Sequence, residues 1–302
     1  MLIGEGVKAM KERLNYLDGR TWAKYSISIW SIAKTPEEVK LGHPAMFPLE
    51  LCERLIEIYS KVGDVVLDPF MGSGSVLVAA KKLGRKGIGF EIVPDFVELA
   101  KKRLSEQTTR VRLSTRLVEF ASEDSSRMGE IEKRLKEANI EPEVYCEDAR
   151  NMAKYLLPES VDLCITSPPY WMVHRRRRTA DYKEPRPYSS LESDLGNIED
   201  YDVFMGELGR VFTNVYDTLK KGKRCVVVVM DVRVGDKFIP FHIDVTEMMR
   251  SIGFELEDII IWDRRLEYSN LRPLGYPYVF VVNKVHEYIL IFRKGVENDR
   301  LS

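Results

Sequence analysis

At 302 residues, 44% hydrophobic and 31% charged, the chain can bury a large core and is composed like a globular protein, as one large α/β unit or two small ones. Its formal net charge of −1 excludes an overall electrostatic pull onto nucleic acid, so any such contact must come from local patches. No apolar run approaches the ~18 residues of a membrane span, and residues 1–20 are charged rather than signal-like, so a cytoplasmic protein with no membrane partner is expected.

In chain order, a helical pattern covers 1–16, and 25–30 alternates like a strand. A turn-rich segment at 42–48 feeds a helix over 49–61. A buried strand at 64–68 leads through Gly72-Ser73-Gly74 into a helix ending near Leu83. A second strand, 86–91, ends in Glu91, and a helix follows at 94–104. Residues 106–141 are charged and weakly periodic, which reads as a helical excursion outside the core. A third strand at 144–148 and a fourth at 161–166 precede a polar, arginine-rich insertion at 171–198 that should face substrate. Then come a long amphipathic helix at 199–219, a strand at 223–231 with four successive valines, a helix at 243–251, a strand at 256–263, a proline-bearing loop and a strand at 287–293. Strands alternate with helices nearly throughout, so a single doubly wound α/β domain with a mostly parallel sheet is expected over 1–302.

The four cysteines, Cys52, Cys146, Cys164 and Cys225, form no C-x-x-C pair and read as buried inert thiols, and the four histidines do not pair at ligand spacing, so no metal is expected. A single glutamine, Gln107, beside abundant Lys, Arg and Glu is a bias that resembles hyperthermophile proteins.

The fourth strand runs into Ser167-Pro168-Pro169-Tyr170-Trp171. Two successive prolines forbid both helix and ladder pairing, so the chain must turn out of the sheet at a strand's carboxyl end, where open α/β sheets place ligands. Taken alone, this is a proline-rich strand exit. It would also place two acceptors, Ser167 Oγ and the Pro168 carbonyl, beside a flat aromatic wall, which suits an exocyclic amino group on a planar ring.

The first strand ends in Asp68-Pro69-Phe70-Met71-Gly72-Ser73-Gly74-Ser75. Glycines let backbone amides approach a ligand at a helix N-terminus, but the third glycine of a dinucleotide loop and a Walker lysine are both missing, which disfavours phosphate. An acid before the glycines suits a cationic ligand. Glu91 at the next strand end can accept from both hydroxyls of a ribose, and Asp148, followed by Ala149, can accept from an adenine amino group. Each acid alone is an ordinary solvated strand end. Three at successive strand ends around a G-x-G loop describe S-adenosyl-L-methionine.

Together, Asp68 to Ser75 and Ser167 to Trp171 resemble the amino-group methyltransferases of nucleic acids, in their N4-cytosine branch. Residues 42–48 are similar to that family's segment contacting the methionine part of the cofactor, which implicates His43, Pro44 and Ala45, and Lys284-Val285-His286-Glu287-Tyr288-Ile289-Leu290 resembles its final strand. The resemblance implies a seven-stranded, Rossmann-like class I fold. It further implies cofactor contacts from Asp68, Pro69, Phe70, Gly72, Ser73, Gly74, Glu91, Asp148 and Ala149, and catalysis by Ser167, Pro168, Pro169 and Tyr170. Enzymes with these motifs often place the catalytic motif first, whereas here the cofactor half leads.

Methylation of a pyrimidine at C5 needs a cysteine nucleophile, and no cysteine follows a proline here, so direct transfer to nitrogen is expected. Adenine-directed relatives more often begin the catalytic motif with Asp, and protein glutamine methyltransferases with Asn; Ser167 points to cytosine. A base inside a duplex must be flipped or already unpaired, with Tyr170 stacking on it and Trp171 either a wedge or second stacking face or else packed in the core. Arg175-Arg176-Arg177-Arg178, followed by Tyr182, reads either as a solvated loop or as a phosphate clamp with stacking aromatics. With no independent target-reading module visible, structured RNA is favoured over DNA, and the chain also resembles archaeal proteins that methylate cytidine N4 in ribosomal RNA. A site-specific DNA methyltransferase and a non-catalytic binding module are the alternatives.

Overall fold

The computed structural model describes residues 13–41, 46–107, 125–175, 189–267, 271 and 273–296. One sheet holds eight strands in the order β1 (Ile29–Ser31), β9 (Phe254–Asp263), β10 (His286–Lys294), β6 (Leu219–Val229), β5 (Val161–Thr166), β2 (Val65–Asp68), β3 (Lys86–Glu91) and β4 (Glu143–Cys146). A small antiparallel hairpin, β7 (Val232–Val234) and β8 (Lys237–Ile239), stands apart. In the large sheet β10 runs antiparallel to β6 and β9, and the other pairings are parallel. The described α-helices are α1 (Gly19–Tyr25), α2 (Pro36–Lys40), α3 (Leu49–Tyr59), α4 (Ser75–Lys82), α5 (Pro94–Glu106), α6 (Ser125–Glu137), α7 (Tyr201–Thr218) and α8 (Phe241–Ile252).

Successive side chains of a strand point to opposite faces, and here both faces are covered, so the central strands read as unbroken apolar runs. Val66, Leu163, Ile165, Val226, Val228, Ile289 and Ile291 pack with α3, α4 and α5 on one face. Their alternates Leu67, Cys164, Val227, Val229, Leu290 and Phe292 pack with α7 and α8 on the other. This is the expected doubly wound sheet with eight strands rather than seven. The eighth is β1, which adds in parallel to β9 with Ile29 opposite Ile261, anchored by the buried Trp30, whose indole N–H donates to the Tyr25 carbonyl at 3.1 Å.

Several boundaries differ from the sequence expectation for local physical reasons. β6 begins at Leu219, directly after α7, although Lys220, Lys221, Gly222 and Lys223 look like a turn. The lysines are tolerated there because the buried Asp162 receives Lys220 at 2.9 Å and Lys223 at 3.3 Å. Residues 13–16 are not helical, and 1–12 lie outside the described residues; Asn15 instead donates to the Ile58 carbonyl at 2.7 Å. Cys146 is exposed at the end of β4, on the sheet's outer edge, unlike the buried Cys52, Cys164 and Cys225. Within the 106–141 excursion, α6 builds a satellite cluster of Ile131 and Leu135 on Tyr16 and Val62, with Arg134 paired to Asp64 at 3.3 Å. That cluster sits before β2, at the edge of the sheet away from the strand ends that carry Asp68, Glu91 and Ser167. Among the described residues no helix is long and apolar enough to cross a membrane.

Arg85 is 2% exposed and donates to the Ser60 hydroxyl (3.1 Å), the Ser60 carbonyl (2.8 Å) and the Leu83 carbonyl (2.6 Å), tying the end of α3 to the turn before β3. Burial lowers its guanidinium to about 10, with the Asp64 carboxylate opposing that shift. Arg85→Ala strands three buried acceptors and should lower the unfolding free energy by about 3 kcal/mol in a urea titration. Arg265→Ala, whose pair with Asp263 is open to solvent, should leave the midpoint where it is. Equal midpoints for the two variants would contradict this reading.

Candidate active site

The parallel strands deliver their carboxyl ends to one edge, and the antiparallel β10 starts there, so Asp68, Glu91, Asp148, Ser167 and Glu287 gather along that edge. Asp68 closes β2 and is 3% exposed. Its Oδ1 accepts from Thr166 Oγ1 at 2.7 Å and from the Phe70 amide at 3.1 Å. Burial pushes its carboxyl up to about 7, against the lowering effect of these two donors, and the Glu91 charge adds to the rise.

The loop that follows is shaped by backbone requirements. Gly72 (φ 52°) and Gly74 (φ 77°) are left-handed, and a Cβ on Gly74 would sit 2.9 Å from the Ala100 Cβ of α5. The Gly72 amide donates to Glu91 Oε2 at 2.9 Å, and the Val93 amide to Oε1 at 2.8 Å. Burial raises the Glu91 carboxyl, opposed by these amides. Beneath the loop, Arg103 of α5 donates to the Ser73 carbonyl (2.6 Å) and to the Ser73 and Ser75 hydroxyls (both 3.1 Å). The Ser73 side chain, expected at the cofactor, is therefore buried against Arg103, because the loop needs an internal brace. Pro69 is buried and Phe70 half-buried against the α7/α8 side of the core.

One strand over, β5 ends at the fully buried Thr166, and the next residues form the proline turn. Ser167 Oγ donates to Tyr170 Oη at 2.9 Å, and Tyr170 Oη donates to Glu287 Oε2 at 2.8 Å, with the Val228 carbonyl 3.3 Å away. Glu287, 3% exposed on β10, is ion-paired with Arg264, which also meets Glu267 at 2.5 Å. Burial, then the Glu287 charge, pushes the Tyr170 phenol well above its usual value. Pro168 is buried, while Ser167, Pro169 and Tyr170 keep partial exposure.

Two of the expected site residues have partners within the protein. The Trp171 indole N–H donates to the Ile198 carbonyl at 3.0 Å and its ring meets Tyr201 edge-on at 5.2 Å. Those contacts hold it at φ 51°, a strained conformation for a bulky residue and the means by which the chain turns so sharply out of the sheet. Asp148 caps a short 3₁₀ turn (Ala149–Lys154), and both its oxygens accept from the Arg150 guanidinium, at 3.0 and 2.5 Å. Arg150 is locked in turn by Glu207 and by the Ser193 carbonyl at 2.9 Å. The Asp148 carboxylate is thus ion-paired, and Ala149 beside it is buried. His43, Pro44, Ala45, Arg176, Arg177, Arg178 and Tyr182 lie outside the described residues; Arg175 ends the 3₁₀ turn Trp171–Arg175.

Sequence reasoning missed Thr166, Arg103, Arg150 and the Glu287–Arg264 pair. Arg103 leaves a signal, since it falls on the Val97–Ala100–Leu104 face of α5 where only apolar residues are expected. Glu287 leaves one too, as an acid opening an apolar strand.

The residues present fit S-adenosyl-L-methionine at two points. Among the described residues both donors to Asp68 fall on Oδ1, which leaves Oδ2 for a cationic group, and each Glu91 oxygen accepts one backbone amide while a carboxylate oxygen can accept two bonds, as a ribose diol requires. Among the described residues no three His, Cys, Asp or Glu side chains form a set that could hold a metal.

The N6_N4_Mtase family model, described as DNA methylase, matches residues 7–102 and 161–301, and a methyltransferase-domain model described as RMKL-like matches 55–182. Type II methyltransferase M2.LlaDCHI of Lactococcus lactis subsp. cremoris is 41% identical over 83 residues, which is 27% of this chain and 31% of that protein. Type II methyltransferase M.HpaI of Haemophilus parainfluenzae is 46% identical over 65 residues, 22% of this chain and 21% of that protein. The chain therefore spans less than a third of the length of these two relatives. TTHA0409 of Thermus thermophilus, solved in complex with S-adenosyl-L-methionine, is 31% identical over 49% of this chain and 51% of that one, with a TM-score of 0.35. With the first of these models covering more than three quarters of its length, the chain belongs to the N6_N4_Mtase family of DNA methylases.

Proposed function

We propose that the protein transfers a methyl group from S-adenosyl-L-methionine to an exocyclic amino nitrogen of a nucleic-acid base, the N4 of cytosine. The observation that carries this reading is the 2.7 Å hydrogen bond from Thr166 to the buried Asp68, which joins the glycine-loop strand to the strand whose next four residues are Ser167, Pro168, Pro169 and Tyr170.

When bound, the cofactor supplies a methyl group on a sulfonium, an electrophile that needs no further activation. The rest is positioning and oriented dipoles. Asp68 holds the cationic end of the donor and Glu91 the ribose. His43, Pro44 and Ala45 carry the family's methionine-side contact. Ser167 Oγ and the Pro168 carbonyl accept the two amino hydrogens, which draws the nitrogen lone pair out of the ring and toward the methyl. Tyr170 presents its ring to the base while its hydroxyl stays anchored to Glu287, so the wall cannot swing away.

The family's description as DNA methylase favours DNA over the RNA preferred from sequence, and DNA is the leading substrate. Structured RNA, the substrate preferred from sequence, is the second reading. Either polymer would meet the same edge. The loop between β9 and β10 leaves that edge carrying Tyr276, Tyr278 and Phe280 at 79%, 91% and 94% exposure, a set of stacking faces any base can use. The basic run Arg175–Arg178 with Tyr182 is assigned to the phosphates.

Mass spectrometry of nucleosides from genomic DNA and from total RNA, each incubated with the protein and labelled cofactor, tests this function. N4-methyldeoxycytidine in DNA, or N4-methylcytidine in RNA, is expected with the wild type, and Ser167→Ala should lower its formation by about 100-fold. Label at a ring carbon, or on adenine, would refute the assignment.

The raised carboxyl of Asp68 gives a pH dependence of definite sign. Only its ionised form attracts a cationic donor, so cofactor affinity should fall as pH drops through 7, by about tenfold from pH 8 to pH 6. Isothermal titration of the wild type and of Asp68→Asn checks this: the variant should bind weakly and without that slope, whereas a flat wild-type profile, or a slope kept in the variant, would rule Asp68 out as the responsible group.

A further inference from the structure

Ser167 can serve the amino group only if its oxygen offers lone pairs to the cleft, because an amino group on an aromatic ring presents N–H donors. A serine hydroxyl is a rotor with one proton, and a rotor left to itself would point that proton at whatever acceptor or solvent it finds. Something must fix its direction.

The structure supplies a hydroxyl chain that ends on a charge. An ionised carboxylate is acceptor-only, so Tyr170 Oη, 2.8 Å from Glu287 Oε2, must spend its single proton there. Tyr170 then has only lone pairs for Ser167, and at 2.9 Å Ser167 must spend its own proton on Tyr170. What remains on Ser167 Oγ is acceptor capacity alone. The alternative acceptor for Tyr170, the Val228 carbonyl, is farther away at 3.3 Å and neutral, and it leaves the direction at Ser167 unchanged. Arg264 is ion-paired with Glu287, which is 3% exposed, and the phenol, raised well above its usual value by burial and by Glu287, keeps its proton.

We infer that Glu287, held by Arg264, is a positioning residue that sets the direction of the Glu287–Tyr170–Ser167 hydrogen-bond chain and so makes Ser167 Oγ an obligate acceptor for the substrate amino group. This rests on the proposed amino-methyltransferase reading, and it assigns a role to the last strand that lies outside both motifs. Glu287→Gln removes the acceptor-only end: a glutamine amide can donate to Tyr170, which then donates to Ser167 and turns the serine proton toward the incoming N–H.

Two measurements test it. In the first, kcat for methyl transfer to genomic DNA or total RNA, whichever accepts label, is measured for the wild type, Glu287→Gln, Ser167→Ala and the double variant. Glu287→Gln should lower kcat about tenfold or more with KM for the cofactor within about twofold, and should cost less than about twofold once Ser167 is alanine. The same fold-loss in both backgrounds, or none in the wild type, would overturn the inference. Tyr170→Phe, which cuts the chain but keeps the ring and the Glu287–Arg264 pair, should show the same dependence on Ser167 and serves if Glu287→Gln does not fold. The second is a neutron structure of the deuterated protein, which needs no substrate and so separates this inference from the functional reading. Deuterons are expected on Tyr170 Oη toward Glu287 and on Ser167 Oγ toward Tyr170; a Ser167 deuteron aimed into the cleft would overturn it.

Discussion

A buried carboxylate shared between two neighbouring strands is the constraint on which the candidate site depends. Asp68 ends β2, Thr166 ends β5, and the parallel register that sets Leu67 beside Cys164 brings the two within 2.7 Å. Removing a carboxylate from water is costly, and the fold offsets the cost only in part, with one hydroxyl and one backbone amide, so its proton affinity stays raised to about 7. The same bond fixes where the proline turn leaves the sheet. In the proposed function, donor and acceptor binding are thereby referred to one rigid point, which is what in-line transfer between two small groups requires.

Around that point the polar groups are arranged by direction as much as by charge. Gly72 and Val93 amides converge on Glu91 from the loop and from the start of α5, while Arg103 braces the loop from below. On the other side, Ser167 and Tyr170 form a hydrogen-bonded chain that ends on Glu287, itself ion-paired with Arg264. Both arrangements draw on elements far apart in sequence. The core beneath them, two apolar layers interleaved by strand alternation, has no polar function and holds the strand ends in register.

Much of this was legible in the sequence, and what was missed shares a cause. The β2–loop–α4 unit, the run 86–91 ending in an acid, and the proline exit after Thr166 are local patterns, so their positions could be read directly. The eight-stranded order, with β10 inserted antiparallel between β6 and β9, is a long-range arrangement that local periodicity does not encode. The β7–β8 hairpin carried a usable signal in the Gly235-Asp236 turn between Val232–Val234 and Lys237–Ile239, and Gly235 has the left-handed φ of 64° that such a turn demands. Asp148 and Trp171 were read by their place in a motif; of the partners they meet in the fold, Arg150 is two residues from Asp148, while Glu207, Ile198 and Tyr201 lie tens of residues away and are brought close only by folding. Thr166 was passed over because a threonine closing a strand is ordinary until its partner across the sheet is known.

The central claim is that one cleft holds both the sulfonium donor and the acceptors for an amino group. A crystal structure of the protein with S-adenosyl-L-methionine tests it most directly. The account predicts the cofactor's cationic end at Asp68, its ribose at Glu91, and its methyl aimed at a space bounded by Ser167 Oγ and the Pro168 carbonyl that admits one nitrogen at roughly 3–3.5 Å. A cofactor seated away from Asp68 and Glu91, or seated there with its methyl turned from Ser167, would contradict it.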